Sequence, residues 1–134
     1  MTSRSVPEPR RDSDEATHEH WSAREGPVDV LALDIPPDSA RSREFDIDCR
    51  MVVKRRVGPD GQSVSDASHG LRVYVNGSLA WSRTVPTHGE AGQTDSLDFH
   101  VRHTAPAGRP LRVIAMSEVN QATRVSLSID AEES

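Results

Sequence analysis

Residues 44–57 read EFDIDCRMVVKRRV, and this stretch decides the fold class. Phe45, Ile47, Cys49, Met51, Val53 and Val57 share one parity, while Asp46, Asp48, Arg50, Lys54 and Arg56 take the other. A strand sends successive side chains to opposite faces, so the alternation predicts a long strand with one buried face. At helical spacing the same apolar residues would scatter around the whole circumference. Only Val52 and Arg55 break the pattern.

Downstream, residues 58–61 (GPDG) form a turn signal, and residues 71–85 (LRVYVNGSLAWSRTV) form a hairpin around Asn76-Gly77. Leu71, Val73, Val75, Leu79, Trp81 and Val85 are all odd-numbered. A two-residue loop would split this set across two faces. The parity therefore predicts a three-residue bulged turn that pairs Val75 with Leu79 and Val73 with Trp81. The ten residues RVYVNGSLAW resemble the hairpin phrase of several lectin-type and laminin-G-like sandwich domains. The likeness follows from hairpin chemistry and transfers no binding residue.

Three further strands are expected. In residues 97–104, Leu97, Phe99, Val101 and His103 alternate with polar residues; in 123–130, Val125, Leu127 and Ile129 do. Residues 109–119 are apolar on both parities, which predicts a central strand or one covered on both sides. Residues 28–35 (VDVLALDI) supply a strand stopped by Pro36-Pro37. Residues 36–45 are expected as a loop. Seven short strands with polar turns predict an all-β fold, a single antiparallel sandwich of the immunoglobulin-like or jelly-roll kind, with a small barrel second.

The first 27 residues hold five apolar side chains, ten charges and three prolines. This composition predicts a disordered arm over 1–27, with the sandwich over 28–131. Trp21, in HEHWS, is the one residue of the arm able to pin it to the domain.

Composition also bounds function. The chain has 134 residues and a formal charge of -5, with 15 Arg and one Lys, which argues against a chain-wide grip on nucleic acid. No apolar run is long enough to span a membrane and no secretory leader is visible, so a cytoplasmic, soluble protein is expected. One cysteine excludes an internal disulfide framework, and Cys49, with inward parity, is expected to be inert core filler.

Candidate chemistry is sparse. His18 and His20 flank Glu19 in the arm as an H-x-H; His69 and His88 are expected in loops. His100 and His103 have opposite parity and cannot share one ion from a regular strand. His103 is expected at a strand end with its ring capped by a carbonyl. Asp46 and Asp48 alone fall short of the six to eight oxygens calcium takes, even with Asp60 and Asp66 nearby in a loop. Ser65, Asp66 and His69 lie in a loop with no orienting third partner. No cofactor and no metal centre is expected.

The outward residues Arg72, Tyr74, Asp98, His100 and Arg102 are the candidate ligand-binding set, expected as one patch if their strands are neighbours. The reading is a non-catalytic binding or interaction module, with a protein partner or self-association favoured and a carbohydrate as the alternative. A small β-fold enzyme using Asp98, His100 and Arg102 is a further alternative, and it requires a concave, partly desolvated pocket at that face.

Overall fold

The computed structural model describes residues 18–61 and 66–134. It is all-β, with eight strands: β1 His20–Glu25, β2 Val30–Ile35, β3 Arg43–Arg55, β4 Ser68–Val75, β5 Ser78–Pro86, β6 Thr94–Ala105, β7 Leu111–Asn120 and β8 Ala122–Glu133. They form two four-stranded sheets, ordered β1-β8-β3-β6 and β2-β7-β4-β5, and every pairing is antiparallel. This order is that of the eight-stranded, double-sheet jelly roll, one of the two sandwich kinds expected.

The parity argument places the core. Leu31, Leu33, Ile35, Phe45, Ile47, Cys49, Met51, Val53, Leu71, Val73, Val75, Leu111, Val113, Leu127 and Ile129 are buried between the sheets. All are odd-numbered. Burial pushes the Cys49 thiol up to about 12, with a smaller contribution from the Asp48 charge, so it holds its proton and stays unreactive. Trp81 on β5 stacks on Phe99 of β6, with centroids 4.7 Å apart, and so closes one open side between the two sheets.

Several expectations need correction. The hairpin turn is a two-residue one: Asn76 and Gly77 both have positive φ (50° and 86°), and Val75 pairs with Ser78. The bulge falls within the ladder instead, so Tyr74 pairs with Leu79 while Val73 still pairs with Trp81. Leu79 is thereby turned outward, 55% exposed. A second register shift, between Val52 and Val53, lets β8 carry one extra residue opposite β3. That residue is Val125, which lies exposed rather than inward. Val57 lies beyond the end of β3 and is also exposed. His69 is a core residue of β4 rather than a loop histidine. Its Nε2 lies 3.2 Å from the Ser96 carbonyl on the facing sheet and must carry the proton, because a carbonyl only accepts; Nδ1 lies 2.7 Å from the Thr87 hydroxyl. The next residue is glycine for lack of room: a Cβ on Gly70 would sit 2.7 Å from the Thr84 hydroxyl.

The largest correction is at the N-terminus. The arm was expected to reach residue 27, yet β1 pairs with β8 from His20↔Glu132 to Glu25↔Leu127. Trp21 and Ala23 pack on the core, so Trp21 does pin this segment. The sandwich also runs past residue 131, since β8 ends at Glu133. Residues 1–17 of the expected arm lie outside the described residues.

An ionic lock joins the start of β1 to the end of β8. Glu133 accepts from Arg41, with Nη2 at 3.0 Å, and from the Glu19 amide at 3.0 Å. Glu19 accepts from Arg43 at 2.8 Å, from Arg41 at 3.2 Å and from the Trp21 indole at 2.9 Å. Desolvation pushes the Glu133 carboxyl up, but the Arg41 and Glu19 hydrogen bonds outweigh it and hold it below its ordinary range. Asp38 is likewise lowered, chiefly by the Ala40 amide. A carboxyl lowered in the folded state contributes stability above its unfolded pKa and loses it as pH falls through the folded value. Urea unfolding is therefore expected to show stability declining below about pH 4.5, the ordinary Glu value, with Glu133→Gln flattening the decline. Equal slopes in the two proteins would count against the lock.

Candidate functional site

The five candidate ligand-binding residues divide between two surfaces. Arg72 and Tyr74 lie on β4, in the sheet β2-β7-β4-β5; Asp98, His100 and Arg102 lie on β6, in the other sheet. All five point outward, and the outer faces of two packed sheets look in opposite directions. The structure therefore does not bring them into one patch. Sequence parity gives the face of a residue within its own sheet but not the sheet to which each strand belongs.

On the first sheet, antiparallel register sets side chains of four strands in lateral rows. The row His20–Glu132–Asp46–Arg102 lies beside the row Ser22–Asp130–Asp48–His100. Four carboxylates thus form a central block, and cationic or imidazole groups flank it. His20 lies 2.6 Å from Asp130, His18 lies 3.3 Å from Glu132 and His100 Nδ1 lies 2.8 Å from Asp48. Arg102 donates to Asp46 at 3.0 Å, and that hydrogen bond raises the guanidinium pKa further. These contacts offset the repulsion that like charges directly opposite one another produce. Asp98, His100 and Arg102 are 58–60% exposed along their side chains. The face is wet, so the desolvated pocket that acid–base chemistry by this trio requires is missing. Among the described residues, no group of three or more His, Cys, Asp or Glu side chains is arranged to hold a metal ion. The H-x-H residues His18 and His20 are turned onto Glu132 and Asp130. Ser65 lies outside the described residues.

The second sheet differs in character. Its outer row Ala32–Ile114–Tyr74–Leu79 runs across all four strands, and the neighbouring row begins Val30–Met116 before reaching Arg72 and Ser82. Six of these side chains are apolar or aromatic and contiguous. Val30 and Leu79 are 45% and 55% exposed; Ala32, Tyr74, Ile114 and Met116 are half-buried, by one another and their strand neighbours. The rim is charged and internally paired: Arg72 lies 3.1 Å from Glu118, and Arg112 lies 3.6 Å from Asp34. The two-parity apolar pattern of 109–119 predicted a central strand, and β7 is one, but no element among the described residues covers its outer face. Of the predicted residues, Arg72 and Tyr74 belong here. Ile114, Met116, Leu79 and Val30 were missed: the parity of the hairpin set Leu79 inward, and the outer side chains of β7 were read as burial.

No helix among the described residues is long and apolar enough to cross a membrane. No family model matches the chain. No curated protein matches it. Solved structures do. The chain is similar to part of dimeric latent PorU from Porphyromonas gingivalis, at 13% identity and a TM-score of 0.50, over 87% of this chain and 13% of that one. It thus spans a small fraction of that protein's length. A family 35 carbohydrate binding module from Clostridium thermocellum shows 11% identity and a TM-score of 0.38, over 84% of this chain and 90% of the module. Broad Bean Stain Virus shows 7% identity and a TM-score of 0.39, over 95% of this chain and 91% of that chain. Likeness at such identities speaks to fold alone. The chain is a jelly-roll β-sandwich.

Proposed function

We propose that the chain is a non-catalytic interaction module whose outer β2-β7-β4-β5 face docks on the same face of a second copy. The carrying observation is the apolar row Ala32, Ile114, Tyr74 and Leu79, with Val30 and Met116 beside it. Contiguous exposed apolar surface rimmed by polar residues is characteristic of interaction sites. Charge favours a second copy as the occupant. The protein carries a net -5, which opposes association in general, but this rim balances Arg72 and Arg112 against Glu118 and Asp34. A two-fold axis through the face allows Arg72 and Arg112 of each copy to meet Glu118 and Asp34 of the other, the self-complementarity of an isologous contact. The carboxylate block on the other sheet would repel its own copy.

The carbohydrate alternative calls for an exposed aromatic platform, and the two tryptophans described are engaged: Trp81 stacks on Phe99, and Trp21 packs on the core. Sedimentation equilibrium between about 1 and 100 µM tests the reading. A concentration-dependent dimer is expected, and Ile114→Glu, which places a carboxylate where it must be desolvated, weakens it at least tenfold. A monomer throughout the range, or an Ile114→Glu dimer as tight as the wild type, overturns the proposal.

A further inference from the structure

A groove of about 500 Å³ lies at one end of the sandwich, lined by Asn76, His103, Thr104, Pro106, Arg109 and Pro110. His103 was expected to be capped by a carbonyl. Instead, among the described residues, the His103 ring and the Arg109 guanidinium have no hydrogen-bond or ion-pair partner. The Asn76 Oδ1 accepts the Arg112 amide, which leaves its NH2 group as the free end. The lining therefore presents side-chain donors from Asn76, His103 and Arg109 and no carboxylate, in a protein of net charge -5. Pro106 and Pro110 supply rigid apolar walls. The loop carrying them is fixed before any ligand arrives: the Arg109 amide bonds the Pro106 carbonyl at 3.0 Å, and the Gly108 amide bonds the Asp38 carbonyl at 2.7 Å.

From this convergence we infer that the groove binds a small organic carboxylate, its charged end on Arg109 and His103 and its apolar body between the two prolines. A guanidinium presents paired N–H donors that match both oxygens of a carboxylate. The loop is already ordered, so binding forfeits little conformational entropy.

The test is an amide-resolved NMR titration of the full chain with benzoate, its neutral isostere benzamide, and inorganic phosphate. Benzoate is expected to shift the amides of Thr104, Gly108 and Arg109. Benzamide is expected to bind at least about tenfold more weakly, and Arg109→Gln to weaken benzoate by a similar factor. His103→Gln tests the second donor and is expected to weaken benzoate as well. Equal binding of benzoate and benzamide, phosphate binding tighter than benzoate, shifts elsewhere on the chain, or indifference to Arg109→Gln would each overturn the assignment. Association is read by sedimentation and carboxylate binding by the Arg109 and Gly108 amides, so failure of the dimer and failure of this site are separately visible.

Discussion

Alanine at position 43 is expected to lower the unfolding free energy by about 3 kcal/mol, the low end of the cost of breaking a buried ion pair. Arg43 is charged, yet its side chain is 2% exposed. It donates to Glu19 at 2.8 Å and to the Pro36 carbonyl at 2.8 Å, and its guanidinium lies 5.4 Å from the Phe45 ring centroid. Removing it leaves a part-buried carboxylate and a carbonyl short of donors, together with a void beside Phe45. The low end applies because Arg41 and the Trp21 indole still reach Glu19. A double-mutant cycle separates the terms. Arg43→Met alone keeps the packing but leaves Glu19 short of one donor, whereas Arg43→Met with Glu19→Gln, read against Glu19→Gln alone, removes that carboxylate charge and recovers part of the loss. Chemical denaturation reads them all. A cost below about 0.5 kcal/mol for Arg43→Ala, the range of an ordinary surface change, would show that the lock contributes nothing.

Deleting residues 1–27 is expected to cost more still, above about 4 kcal/mol, a large share of what a domain of this size holds in reserve. The deletion removes β1, the Trp21 and Ala23 contacts with the core, and Glu19, on which both Arg41 and Arg43 depend. It also bares β8 from Leu127 to Glu132 as a new sheet edge, so light scattering should rise along with the loss of stability. Unchanged urea midpoints for the shortened and full chains would return residues 20–25 to the status of an appendage.

The contrast between these residues and the rest of the core shows how far the sequence can be read. Interior strands such as β3 bury every second side chain completely, so their alternation is long and unmistakable. An edge strand buries little, and β1 offers just Trp21 and Ala23 at inward positions amid HWSARE. The parity was present there too, but two apolar residues are too few to outweigh ten charges nearby. The bulges were illegible for another reason. A one-residue register shift leaves no mark on composition, yet it turned Leu79 and Val125 outward. The candidate binding set split because strand order is a tertiary property: β4 and β6 contribute to different sheets although each presents its polar parity to solvent.

Isotope-filtered NMR on a mixture of labelled and unlabelled protein gives the sharpest view of the docking face. The account predicts intermolecular NOEs from the Ile114 and Met116 methyl groups to the Tyr74 ring and Leu79 of a second copy. Their absence at concentrations where the protein sediments as a dimer, or intermolecular NOEs confined to the β5 and β6 edges, would contradict it.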